Sequence, residues 1–302
     1  MAVYPITFSI PQNKIINDKY KKEKLMSSLI PGDNSTYIYN TEEEYYNEYR
    51  KSYFAITSKK AGWDCLRHYE IIANGCIPYF IDIDKCPPNT LYLFPKDLII
   101  KGNCLYEKMK EYTFDEIENS NNSTEFISEY NKLINELILY TINHLTTKKM
   151  ATYILNKVIE PKNISKILYL SGNTSPDYLR CLTLHGFKEL YGTNCHDFPK
   201  ISHIYKSCNN YKNLYGNGIT YTNLLDDSLH DDKLDKTIIE DIQNNKYDII
   251  IYGSYHRGMP FYDIVINSNY KTNVILLCGE DIHSCNYTKW TNKGHTVFVR
   301  EL

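Results

Sequence analysis

The stretch SKKAGWDCLRHYEIIANGCIPYF, residues 58–80, decides how this chain is read. Its spacing predicts a loop, a helix, a tight turn and a strand. Asp64 falls in the predicted first helical turn, where a carboxylate suits the positive end of the helix dipole. Gly75 stands just past the last helical residue, where a left-handed cap is expected. Ile77 to Ile83 reads as a short buried strand, with Pro78 at its start, where no ladder donor is needed. Cys65, Tyr69, Ile72, Ala73 and Cys76 make a core-facing stripe, and Trp63, Arg67, Glu70 and Asn74 make the opposite one.

An Arg and a Glu one turn apart, behind a Lys pair and a glycine, suit a nucleotide. Arg67 has the fork geometry for diphosphate oxygens. Glu70 offers acceptors for two ribose hydroxyls, and Lys59 or Lys60 adds a point charge near phosphate. The same spacing also describes an i,i+3 ion pair on a solvated face, worth only about 0.2–0.5 kcal/mol.

The pattern Arg67-x-x-Glu70-x-x-x-x-Gly75-Cys-Ile-Pro78 resembles the donor-binding segment of exostosin-like glycosyltransferases. The match is confined to this stretch. The resemblance implies an α/β fold of two Rossmann-like domains with parallel sheets facing a cleft, the GT-B architecture. It implies a nucleoside-diphosphate sugar, UDP- or GDP-linked, as co-substrate rather than a bound cofactor. Arg67 and Glu70 would hold the nucleotide, with Lys59, Lys60 and Trp63 beside it, and transfer would invert the anomeric carbon without metal. In that family the donor-binding domain comes second, whereas here the donor-like half comes first. A circular permutation accounts for this, and predicts that Leu302 and Met1 lie next to each other.

The chain has 302 residues, enough for two ordinary cores. We expect a donor-binding domain over residues 1–160 and an acceptor-side domain over 161–302, joined at Glu160–Asn163. The net charge of -2 gives no basis for attraction to nucleic acid or membrane through overall charge, so nucleic acid enters only as an acceptor. The abundance of Tyr (29 residues), Asn, Ile and Lys suits an AT-rich genome such as a viral one. Nine scattered cysteines without a C-x-x-C pair, Cys76 and Cys278 in apolar runs among them, point to free thiols in a reducing, cytoplasmic setting. No signal-peptide pattern and no run approaching the ~20 apolar residues of a membrane span is visible.

Strands are expected at Tyr4–Ile10, Thr36–Asn40 and Ser52–Thr57, with helices over Lys19–Ile30 and from Thr41, where Glu44 completes a capping box. Helices are also expected over residues 106–118 and, with a break near Thr146–Thr147, Thr124–Val158. Beyond these, Lys166–Leu170, Lys188–Tyr191, Tyr247–Tyr252, Asn273–Cys278 and Thr296–Val299 read as strands, three of them near-continuous apolar runs typical of a covered parallel sheet. The stretch 192–232 reads as loop.

Ligands at parallel sheets sit beyond the carboxyl ends of strands. There the sequence offers Tyr255-His256-Arg257 and Gly279-Glu280-Asp281-Ile-His283. Glu280, Asp281, His256 and His283 are therefore the candidates for the base that takes an acceptor hydroxyl proton. Each also suits a loop residue that merely satisfies a turn, and no metal is implied by two histidines this far apart. Asp82-Ile-Asp84 matches the common DxD tripeptide of metal-dependent glycosyltransferases. Ser171-Gly-Asn-Thr is a poor match to the glycine-rich loop of an S-adenosylmethionine-dependent methyltransferase. The expectation is a glycosyltransferase acting on a glycan, a protein or modified DNA. The alternatives are a non-catalytic nucleotide- or sugar-binding protein of the same fold and a DxD metal-dependent enzyme.

Overall fold

The structure is a computed structural model that describes residues 2–119, 123–158, 164–270, 273–281 and 285–302. Residues 120–122 of an expected turn over Ser120–Thr124, the expected linker Glu160–Asn163 and the candidate base His283 lie outside the described residues, and Ser123 and Thr124 already belong to a helix. The strands are β1 (Val3–Pro5), β2 (Lys24–Met26), β3 (Ser52–Thr57), β4 (Ile77–Phe80), β5 (Ile167–Leu170), β6 (Cys195–Phe198), β7 (Ile249–Tyr252), β8 (Val274–Cys278) and β9 (Thr296–Val299). The helices of the first half are α1 (Glu42–Arg50), α2 (Leu66–Ala73), α3 (Lys96–Met109), α4 (Phe114–Asn119), α5 (Ser123–Tyr140) and α6 (Thr147–Val158). Those of the second are α7 (Tyr178–Tyr191), α8 (Asp232–Asp235), α9 (Ile238–Gln243), α10 (Tyr262–Asn267) and α11 (Tyr287–Thr291). None of the described helices is long and apolar enough to cross a membrane.

Two all-parallel sheets result, one ordered β2-β3-β4 and one ordered β1-β9-β8-β7-β5-β6. This is an α/β fold with Rossmann-like parallel sheets. The larger sheet is buried on both faces, as parallel sheets are. Strand alternation sends Ile167, Tyr169, Ile251, Ile275 and Leu277 to one core. Leu168, Leu170, Ile250, Tyr252 and Leu276 go to the other. The first core continues through α5 and α6 to Phe54, Ile77 and Phe80 of the small sheet, so one apolar body spans both sheets. The other face of the small sheet packs Ala55 and Cys76 under Tyr45, Tyr46 and Tyr49 of α1. That helix starts at the expected capping box, Thr41 accepting from the Glu44 amide and Glu44 from the Thr41 amide.

β1 does not join the sheet of the first half. Val3, Tyr4 and Pro5 pair with Val297, Phe298 and Val299 of β9. The two sheets therefore do not follow a division of the sequence at residue 160. Beyond Pro5 the chain stays extended, giving its Ile6 amide to Val299 and its Ile10 amide to Leu145, both as backbone hydrogen bonds. Because β1 and β9 run parallel, Ala2 lies beside Val297 while Leu302 lies past the opposite end of the pair, its carbonyl accepting from Thr90. Ala2 and Leu302 thus stand at opposite ends of the β1–β9 pair.

Other expectations need correction. Lys19–Ile30 is not a helix; it carries β2, and the Lys22 ammonium is drawn into the carbonyls of Arg50, Ser52 and Gly75. Burial lowers that amine to about 8. Thr36–Asn40 is not a strand: Asn34–Thr36 is a 3-10 turn capped by Asp33. Lys188–Tyr191 is the last turn of α7, and the strand follows at Cys195, inside the stretch expected as loop. The stretch 106–118 divides between the end of α3 and α4. The break near Thr146 is present, as a π-helical turn over Thr141–Leu145 followed by extended Thr146. Cys278, expected as a free core thiol, is disulfide-bonded to Cys285 with the two Cα atoms 6.2 Å apart.

α7 approaches α6 at Gly186, where an added Cβ would strike the Thr147 carbonyl. A backbone atom cannot swing away as a side-chain tip can. Gly186→Ala is expected to lower stability by about 1–3 kcal/mol, as overpacking does. A urea melt should show a lower midpoint at unchanged slope.

Candidate functional site

β3 ends at Thr57, and the chain then crosses the carboxyl end of the small sheet before α2 begins at Leu66. Asp64 therefore lies ahead of the helix rather than in its first turn. It is buried, accepting from the Phe8 amide at 2.7 Å and the Tyr69 hydroxyl at 2.9 Å. Burial pushes its carboxyl up to about 7, with Glu301 adding to the effect and Arg300, the Phe8 amide and Tyr69 opposing it.

A cavity of about 530 Å³ opens between the strand ends of the two sheets. Lys60, Arg67, Glu70 and Tyr37 line it from the small-sheet side, and Asp177, Tyr178, Arg257 and Asp281 from the large-sheet side. Tyr215 and Asn217, from the long excursion between β6 and α8, complete the wall.

Arg67 donates to the Thr57 hydroxyl and the Tyr37 hydroxyl, both at 3.1 Å. The next link is set by His68, which burial lowers to about 3 and so keeps neutral. Its Nε2 lies 2.8 Å from the Trp63 carbonyl and must carry the proton, so its Nδ1 accepts from Thr57. Thr57 thus has its oxygen turned to Arg67. Glu70 is also buried, accepting from Tyr45 at 2.9 Å and from Thr220 at 2.5 Å. Burial raises its carboxyl and those two hydrogen bonds oppose the rise. Arg67 and Glu70 are therefore not an ion pair on a solvated face. Among the described residues, neither Arg67 nor Lys60 is ion-paired with a carboxylate, and the Lys60 ammonium reaches only the Tyr215 hydroxyl at 3.2 Å.

Lys59 and Trp63 lie elsewhere. The Lys59 ammonium sits 5.2 Å from the Trp63 ring centre, in a shallow groove shared with Asp82 and Lys85. Asp82 is held there by Lys85 at 2.6 Å, outside the cavity.

On the large-sheet side, Asp177 caps α7 by accepting from the Arg180 amide and pairs with Arg257 at 2.8 Å. The fully buried Arg180 donates to the carbonyls of Asn173 and Ser175. Gly172 lies against the backbone of Arg257 and Gly258, with no room for a Cβ, so the loops after β5 and β7 close on each other. Of the four candidate bases, Asp281 is on the cavity wall, ion-paired with Arg300. His256 and Glu280 are paired with each other at 3.1 Å and do not line the cavity, and His283 is outside the described residues. Burial lowers the His256 imidazole against the opposing pull of Glu280 and Asp177.

Arg300, Thr220 and Tyr215 were not singled out from sequence. Arg300 follows the apolar run Thr296–Val299, so the strand-end rule that found Asp281 applies to it equally. Thr220 and Tyr215 carry no such signal. No family model, no curated protein and no solved structure matches this chain.

Asp64 has a pH consequence. Its folded pKa of about 7 lies above the ~3.9 of an unfolded Asp. Its contribution to stability is then fully present below about pH 4 and is lost as pH rises through 7, by at most about 4 kcal/mol. Asp64→Asn, which cannot ionise, should flatten the stability profile between pH 4 and 7. Urea melts across that range check this, and parallel profiles for the two proteins would contradict it.

Proposed function

We infer that the cavity binds a nucleoside diphosphate, and that the protein transfers a sugar from a nucleoside-diphosphate sugar to a hydroxyl acceptor. One observation carries the anion: Arg67 and Lys60 face the cavity with hydroxyl partners and no carboxylate partner among the described residues. A guanidinium removed from bulk water calls for an anion, and its fork suits two phosphate oxygens. Charge neutralisation by side chains is compatible with transfer without metal, which the resemblance of residues 67–78 to exostosin-like enzymes implies. A carboxylate has about four lone-pair positions, and Tyr45 and Thr220 use two of those on Glu70, leaving acceptors for ribose hydroxyls.

The cavity wall opposite Arg67 would take the acceptor. Asp281 is its candidate base: Arg300 orients it, and it is half exposed and open to an incoming hydroxyl. This reading takes the two parallel sheets to be arranged as in GT-B enzymes, facing the cavity. The runner-up is nucleotide or sugar binding without turnover. It is favoured by the pairing of Asp281 with Arg300 and of His256 with Glu280, which leaves the three described candidate bases already engaged.

Calorimetry with UDP, GDP and ADP, with and without Mn, tests the site. One nucleotide should bind without metal. Arg67→Ala should weaken it about tenfold or more, the scale of a lost charge-assisted hydrogen bond, and Lys60→Ala less. Lys59→Ala should bind as wild type. Equal binding by wild type and Arg67→Ala, or no binding of any nucleotide, would overturn the donor assignment. Hydrolysis of the matching sugar nucleotide, lost in Asp281→Asn with nucleotide binding kept, separates transfer from binding alone.

A further inference from the structure

Away from the cavity, four side chains meet where the long excursion from β6 returns to the large sheet. His196 lies on β6, His230 follows a 3-10 turn over Asp227–Leu229, and Asp232 and Asp235 belong to α8. The imidazoles of His196 and His230 are 3% and 0% exposed and their rings are stacked. His196 Nε2, His230 Nε2 and Asp235 Oδ1 are shut off from solvent, and none has a hydrogen-bond partner among the described residues. Buried polar atoms left without partners are costly, and three together need an explanation.

The spacing supplies one. The closest available nitrogen or oxygen of each residue lies within 4.8 Å of those of the other two. His230 Nε2 stands 3.4 Å from Asp235 Oδ2 and 3.4 Å from Asp232 Oδ1, too far for good hydrogen bonds. Metal bonds of ~2.0–2.1 Å at a tetrahedral angle set ligand atoms roughly 3.3 Å apart. His196 Nε2 is 2.9 Å from Asp235 Oδ1 without the alignment of a hydrogen bond. The other side of His230 is already organised for a ligand role. Its Nδ1 lies 3.1 Å from Asp197, so a neutral ring donating there carries its lone pair on Nε2. Asp197 is itself pinned by the Lys188 ammonium at 2.8 Å and the Tyr205 hydroxyl at 2.7 Å. A carboxylate behind a ligating imidazole is the usual second layer of a metal site. Three carboxylates against one ammonium also leave the cluster negative, and a divalent cation would neutralise it.

We propose that His196, His230 and Asp235 bind one divalent transition-metal ion of the zinc class, with Asp232 as the fourth ligand. Two imidazoles exclude a calcium- or magnesium-type oxygen cage. The ion acts on structure. Its ligands stand at both ends of the excursion, which carries Tyr215 and Asn217 to the cavity wall and Thr220 to Glu70. Binding would clip the base of that arm to the sheet.

The test is metal content and thermal stability of the full chain, stripped with a chelator and dialysed against zinc. Wild type should retain about one zinc per chain. Its melting temperature should rise by about 5 °C at a hundredfold excess over Kd. Cobalt should give the visible bands of a four-coordinate nitrogen–oxygen site. Asp235→Asn, which alters a partly exposed side chain on a short helix and should fold, ought to lose both the retained zinc and the thermal shift. His196→Gln should do the same, and the exposed Asp263→Asn should behave as wild type. The proposal is overturned if stripped wild type retains less than a tenth of an equivalent and does not shift. It is equally overturned if Asp235→Asn and His196→Gln keep zinc as wild type does, or if cobalt shows thiolate charge-transfer bands, which would place the metal on the free cysteines.

Discussion

The two sheets are held in register by one buried guanidinium. Arg300 leaves the carboxyl end of β9 with no solvent exposure and donates to the carbonyls of Asp64 and Gly279 and to the carboxylates of Asp281 and Glu301. Glu301 turns back and accepts from the amides of Trp63 and Asp64, at 3.1 and 3.0 Å. Residues adjacent in sequence thus fasten the loop ahead of α2 to the end of the large sheet. Gly62 allows it, because a Cβ there would collide with the Glu301 carboxylate. A charge this deep is tolerated only while its hydrogen bonds are made, and removing one partner of such a set typically costs about 3–5 kcal/mol. The clamp therefore acts as a specificity device: the sheets either meet in this geometry or leave a bare charge behind.

The position of the cavity follows from that clamp. Parallel strands leave their carboxyl ends open, and the clamp ties the loop that follows β3 to the carboxyl end of β9. The Ile6–Ile10 segment runs through the junction, bonded at successive points to β9, to Asp64 and to the π-turn between α5 and α6. From the other side, Thr220 reaches Glu70 and Glu42. Within the space these contacts enclose, the charges are distributed unevenly. Arg257 is neutralised by Asp177 and Arg300 by Asp281 and Glu301, while Asp64 is raised toward the neutral acid by burial. Among the described residues, Arg67 and Lys60 are left as the lining cations without a carboxylate partner.

How far the sequence could show this depended on the range of each interaction. The capping box of α1 and the apolar runs of β5, β7, β8 and β9 were legible because helix starts and doubly covered strands depend on neighbours in sequence. The helix over Lys19–Ile30 failed for a physical reason. The Lys22 ammonium is satisfied by three backbone carbonyls distant in sequence and so permits a strand beside it. The partner of β1 was illegible, since Val3–Pro5 looks the same beside β2 as beside β9, and parallel pairing needs no local turn to betray it.

The site divides along the same line. Arg67 could be found because strand-end position and helical spacing are local, and it lines the cavity. Lys59 and Trp63 sit on the same stretch but on its far side, a difference set by how the loop bends around Gly62 rather than by spacing. His256 and Glu280 follow strands as Asp281 does, yet they satisfy each other before they can face the cavity. The His196, His230 and Asp235 cluster had no spacing signature at all, because its members meet only when a long excursion folds back onto an edge strand. Strand ends identify where chemistry can be placed, and competition among polar partners in three dimensions decides which of those groups stay available for it.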